Sequence, residues 1–137
     1  MRYAMLEKYR DGLLLTARIL LVALYVKFGL AKILAFSTTS AYMASNQLPA
    51  PSLMTLIAIA MELGVGLAIV LGFFTRPLAL VLAIYTVIAA VLGHPYWHMS
   101  GELQYESMIN FYKNLSIAGG LMLLMLSGPG RYSFDRR

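Results

Sequence analysis

The sequence predicts an all-α membrane protein, an antiparallel four-helix transmembrane bundle with its N- and C-termini cytoplasmic. Three observations carry that prediction. The first is composition: of 137 residues, 60% are hydrophobic and 12% charged, where a soluble domain is about half apolar and about 25% charged. So little charge cannot coat a water-soluble particle, and no polar stretch is long enough to fold as a separate catalytic domain. The second is a set of four apolar runs, at about residues 13–35, 52–74, 77–93 and 108–127, each near the roughly 20 residues a membrane helix needs. The third is the placing of the basic residues. Arg2, Lys8, Arg10, Arg76, Arg131, Arg136 and Arg137 flank helix ends that a four-pass path brings to one side, while 36–51 and 94–107 contain no Lys or Arg. By the positive-inside rule that side is cytoplasmic. The chain reads as one transmembrane domain over 1–137.

The first run, 23 residues long, exceeds a signal-peptide core and precedes three more, so it reads as a retained helix. It carries Arg18, Lys27 and Lys32. At about 100° per residue, Tyr25, Gly29 and Lys32 fall within about 40° of Arg18, making one polar stripe that should face the bundle. Lys27 falls about 180° away and is expected to snorkel outward.

The second run holds Glu62 near its middle, about 15 Å of helix from either end. Insertion scales charge roughly 2.5–3.5 kcal/mol for a carboxylate at that depth, so it should face inward and have a partner. Desolvation also favours the protonated form of a carboxyl. Arg18 reaches Glu62 only if its guanidinium extends inward by about 6–9 Å of helix rise. Gly64, Gly66 and Ala68 would let another helix approach closely. Glu62 reads either as a proton carrier or head-group ligand, or as half of a structural ion pair.

Phe74-Thr75-Arg76-Pro77 is a tight turn, which makes the second and third helices antiparallel neighbours. The third run is the shortest and needs a thin bilayer or its flanks to span. The fourth opens with Asn110-Phe111-Tyr112-Lys113-Asn114. Asn110, Asn114 and Ala118 share one face and Lys113 lies on an adjacent one; the amides read as interhelical glue or as ligand donors. Beyond it, Gly128-Pro129-Gly130 stops the helix. The basic tail reads as an anchor in lipid headgroups or as a handle for a partner.

The outer loop His94-Pro95-Tyr96-Trp97-His98-Met99 looks the most chemical. Pro95 makes a helical histidine pair unfavourable, so no metal site is expected. Trp97 and Tyr96 suit the membrane edge, and His94, at the mouth of the third helix, suits proton exchange or a helix cap. Nine methionines are scattered rather than grouped and read as apolar filler. The absence of cysteine excludes dithiol chemistry, cysteine-ligated clusters and covalent c-type haem. The net charge of +5 is accounted for by topology and anionic lipid, and no nucleic-acid partner is expected.

Several short patterns then fall into one order. They are Arg18 with Phe28-Gly29-Leu30-Ala31-Lys32, Met61-Glu62-Leu63, Leu71-Gly72-Phe73-Phe74-Thr75-Arg76-Pro77, Gly93-His94-Pro95-Tyr96-Trp97, Asn110 to Gly120, and Gly128-Pro129-Gly130 with Ser133-Phe134-Asp135. In this the chain resembles the DoxX family of small four-helix bacterial membrane proteins, and within it the YphA-type inner-membrane proteins. The resemblance implies a multi-pass protein of the bacterial inner membrane, with Arg18, Lys32, Glu62, Arg76, His94, Lys113 and Asn114 as the matched polar positions. Founding relatives are described as small subunits of a thiosulfate:quinone oxidoreductase, and other members resemble anchors in oxidative-stress assemblies.

Three functions remain open. The chain is expected to be an accessory or anchor subunit of a membrane assembly, linked to redox chemistry through a partner. Alternatively it is a quinone-binding oxidoreductase subunit, with Glu62 and His94 exchanging protons and Arg18, Lys32, Tyr25, Trp97, Lys113 and Asn114 as ligand-binding candidates. The third is a small-molecule or lipid transporter working as a homo-oligomer.

Overall fold

The computed structural model describes residues 3–135; Arg2, Arg136 and Arg137, used above for orientation, lie outside the described residues. The chain forms α1 (Ala4–Leu34), α2 (Phe36–Ser45), α3 (Pro51–Ile59), a π-helical segment (Ala60–Val65), α4 (Gly66–Leu71), α5 (Thr75–Gly93), one 3-10 turn (Tyr96–His98) and α6 (Gly101–Ser127). Four stretches are long and apolar enough to cross a membrane: Ala4–Leu34, Pro51–Leu71, Thr75–His98 and Gly101–Ser127. They make an antiparallel four-helix transmembrane bundle.

The helix bounds depart from the apolar runs for local reasons. α1 begins at Ala4, well before the run, with Glu7 in its first turn, where a carboxylate suits the helix dipole. At 1.5 Å per residue its length is about 46 Å, more than the hydrocarbon needs, so its first turns project beyond it. The 36–51 connection contains a helix. In α2, Phe36, Thr39, Ser40 and Met43 are the half-buried positions, a helical spacing that turns them onto α3. There Ser40 Oγ meets Thr55 Oγ1 at 3.0 Å, and Thr55 Oγ1 lies 3.5 Å from Met43 Sδ.

The second crossing ends at Leu71 because Gly72 takes φ +72°, a left-handed cap that glycine adopts without penalty. α5 starts at Thr75, so Pro77 sits in its first turn, where its missing N–H has no intrahelical partner to lose. α6 starts at Gly101, taking in the polar turn with Glu102 and Gln104.

α5 packs along α6 in the most extensive contact, and α1 lies on the crossing made by α3, the π-segment and α4. Between them sit Val22, Tyr25, Ile69, Ala79, Leu82, Ala83, Ala118, Leu121 and Leu124. Small residues allow close approach, as expected where packing rather than water drives association. A Cβ on Gly29 would stand 3.0 Å from Leu63 Cβ and N, and one on Gly66 would stand 3.5 Å from Tyr25 Cβ. Gly64, expected to serve the same purpose, has nothing within 4 Å, because the π-segment turns it outward. We call the end holding the start of α1, the 72–74 turn and the end of α6 the terminal end, and the other the distal end.

Candidate functional site

The strongly polar residues gather in two places. At the terminal end the residues from Gly128 to Asp135 fold back across the bundle. Gly128, Pro129 and Gly130 are buried, so this part of the tail is packed against protein, not laid among headgroups. Arg131 N–H donates to Asp11 Oδ1 at 2.9 Å, Phe134 N–H to the Leu71 carbonyl at 3.1 Å and Asp135 N–H to the Gly72 carbonyl at 2.8 Å. The Asp135 carboxylate accepts from the Phe74 and Thr75 amides, both at 2.8 Å, satisfying the open donors at the start of α5. Arg76 Nη1 donates to the Met125 and Leu126 carbonyls at 3.0 and 2.8 Å, open acceptors at the end of α6.

Arg18 belongs to this closure. Fully buried, it donates to the Ile69 and Val70 carbonyls at 3.2 and 2.9 Å and to the Tyr132 carbonyl. Its guanidinium fork thus joins α1, the end of α4 and the tail, as a planar donor set can. The pairing of Arg18 with Glu62 weighed from the sequence does not form, because these carbonyls hold the guanidinium at the terminal end.

Glu62 instead pairs with Lys32. The ammonium stands 2.9 Å from Oε2 and donates to Oε1 at 3.1 Å. Glu62 lies on the π-segment, a form common at functional sites. The Tyr85 phenol of α5 faces the same carboxylate. Just toward the terminal end, Tyr25 Oη and Thr86 Oγ1 share a hydrogen bond at 2.5 Å, with Thr86 also donating to the Leu82 carbonyl at 2.6 Å. Half-buried His94 caps α5 through its backbone N–H to the Ala90 carbonyl, 3.1 Å, and stands within electrostatic reach of Lys32. Lys32, Glu62, Tyr25 and His94 thus come together, joined by Tyr85 and Thr86, which the sequence reading missed. Their signal was two adjacent polar side chains in the centre of an otherwise apolar run.

The remaining candidates lie elsewhere. Trp97, 47% exposed, stacks edge-on with Tyr96 and Phe111 at centroid distances of 5.3 and 5.7 Å, an arrangement suited to the membrane edge. Lys113 is exposed in an open groove along α6 with Met108, Tyr112 and Ile117. Asn114 is half-buried. Among the described residues no three His, Asp or Glu side chains converge as a metal centre would require.

The DoxX family model matches residues 13–95, a span that takes in Arg18, the Lys32–Glu62 pair and His94. The chain belongs to the DoxX family. Inner membrane protein YphA of Escherichia coli (strain K12) is 48% identical over 137 residues, covering 100% of this chain and 98% of that protein. Inner membrane protein YqjF of the same organism is 39% identical over 131 residues, covering 96% and 95%. The Surfeit locus protein 4 homolog of Schizosaccharomyces pombe is 32% identical over 71 residues, 50% of this chain and 24% of that protein. No solved structure matches. With four spanning helices and full-length inner-membrane relatives, this DoxX-family chain is a multi-pass inner-membrane protein whose surroundings are lipid.

Proposed function

We propose that this DoxX-family protein is an accessory subunit of a redox-linked inner-membrane assembly, contributing a proton-exchanging site for a quinone at Glu62. The observation that supports this is the Lys32–Glu62 pair with Tyr85 beside it, delivered from three spans. Ionisable groups at such depth are costly, and a functional role is the default reading for them. Glu62 Oε2 is buried 2.9 Å from the Lys32 ammonium, and the Tyr85 phenol faces the same carboxylate. A ring oxygen that alternates between carbonyl and hydroxyl needs that combination of donor and acceptor. A quinone, when bound, supplies the electron-accepting ring; the chain supplies Lys32 and Tyr85 as donors and Glu62 as the proton-holding group.

The test is to extract the protein in mild detergent and identify co-purifying lipids and quinones by mass spectrometry and absorption. A stoichiometric quinone, lost in Glu62→Gln, supports the reading; bulk phospholipid alone refutes the quinone site. A second reading, a plain membrane anchor, is favoured by the terminal closure, where Arg18, Arg76 and Asp135 all find partners within the chain. In-membrane cross-linking from the lipid-facing residues of α6 to a single partner, with Glu62→Gln leaving that partner attached, would favour it.

A further inference from the structure

The Lys32–Glu62 site is sealed on its terminal side and becomes more exposed toward its distal side, where α2 bridges α3 and α5 through Ser40–Thr55 and the Tyr42 hydroxyl on the Gly93 carbonyl. Toward the terminal end, the Tyr25–Thr86 bond lies next to it. Behind that bond Val22, Ile69, Leu82 and Leu121 form a layer with 0% exposure, contributed by all four spans. Behind the layer Arg18, also 0% exposed, is held by carbonyls and covered by the tail. Exposure rises in the other direction. Glu62 retains 8%, the Lys32 side chain 22%, and His94 is half-buried at the distal end of α5. Lys32 sits in the last turn of α1, on the distal side of the carboxylate, and its side chain carries the ammonium back to Glu62.

We propose that Glu62 exchanges its proton with the distal face alone, by way of His94 and Lys32, and that the apolar layer isolates it from the terminal face. This rests on the proton-exchange reading above and adds its direction. One proton from distal water is taken up on the Glu62 carboxylate, turning the ion pair into a neutral acid beside an ammonium, and the same proton returns by the same route. The groups that face Glu62 are Lys32 and Tyr25 from α1 and Tyr85 from α5, with His94 behind Lys32. Lys32 and His94 carry exchangeable protons and stand on the more exposed, distal side of Glu62. Tyr25, bonded to Thr86, closes the opposite side. With the basic residues marking the terminal end as cytoplasmic, the site draws on protons from outside the cytoplasm.

The experiment uses the full chain in sealed vesicles sorted to one orientation by an affinity handle at a terminus. The Glu62 carboxyl band is identified by infrared difference spectroscopy through its loss in Glu62→Gln, and pH is stepped on each side with impermeant buffer. The expected band follows distal pH and ignores terminal pH, and His94→Gln slows its response by roughly tenfold or more. A band that follows terminal pH, or both sides equally, overturns the direction while leaving proton exchange standing. A band that answers neither side overturns proton exchange itself. The absence of native cysteine allows a second measurement. H94C should react with an impermeant thiol reagent from the distal side and L82C from neither, and labelling of L82C from the terminal side would overturn the seal.

Discussion

Removing the two charges of the Lys32–Glu62 pair one at a time should have unequal costs. Lys32→Met leaves the carboxylate alone near mid-span, which insertion scales price at roughly 2.5–3.5 kcal/mol. Neutralising that carboxylate gives a second figure. Taking up a proton at pH 7 costs an ordinary glutamate about 3.7 kcal/mol, at about 1.4 kcal/mol for each of about 2.7 pH units. The two figures agree on about 3 kcal/mol. Glu62→Gln leaves the ammonium, but Lys32 stands in the last turn of α1 with 22% of its side chain exposed. It can extend to the distal surface, so the cost should be about 1 kcal/mol. The double variant buries no charge and should cost about 1 kcal/mol, leaving a coupling of about 3 kcal/mol. Equilibrium unfolding of the four proteins in mixed micelles reads these costs. Equal costs for the two single variants, or additive costs, would refute the reasoning.

Three further outcomes are expected. Asp135→Asn weakens the acceptor of the Phe74 and Thr75 amides and should cost about 1 kcal/mol, read as faster hydrogen exchange at those two amides; unchanged exchange there would contradict the cap. Gly29→Val places side-chain atoms where a Cβ already stands 3.0 Å from Leu63. It should cost about 1–3 kcal/mol and lower the thermal midpoint, and a midpoint at the native value would show that α1 and the π-segment are not in close contact. Tyr25→Phe deletes the hydroxyl bonded to Thr86 and should cost about 0.6–1.7 kcal/mol, measured against Thr86→Val and the double variant; an absent coupling would mean that the bond contributes nothing.

The periodicity of the first apolar run was enough to read which face of α1 turns inward. Arg18, Tyr25 and Gly29 are buried there and Lys27 is exposed. The depth of Glu62 was likewise enough to require a partner. The identity of that partner was not legible, because it depends on how far α1 is shifted along α4. That shift is set by Arg18 on the Ile69 and Val70 carbonyls, with the tail carbonyl of Tyr132, 114 residues away, on the same guanidinium, and no local pattern encodes these contacts. The π-segment was hidden for a related reason: its residues are ordinary helix formers, and only the packing of Leu63 on Gly29 distinguishes it. Tyr85 and Thr86 were overlooked because an isolated phenol or hydroxyl in a span is easily satisfied by its own helix, as Thr86 partly is through Leu82.

The two polar clusters divide the work of the fold between them. Gly72, Arg76, Gly128, Gly130 and Asp135 belong to the short motifs that carry the family resemblance along the chain. In space they close three helix ends at one place, those of α4, α5 and α6, with Arg76 and Asp135 supplying the partners that open carbonyls and amides require. Such a closure fixes the terminal ends of α4 and α5, and with them the height at which Glu62 meets Lys32 and Tyr85. A site whose carboxylate is misplaced by one helical turn, about 5.4 Å, would lose Lys32 as a partner at 2.9 Å and bury an unpaired charge. The terminal cluster therefore acts on the intramembrane one by setting its register. Substitutions at Arg18 or Asp135 that disturb activity should do so by shifting the Lys32–Glu62 distance, which distinguishes them from substitutions at Glu62 that leave the register intact.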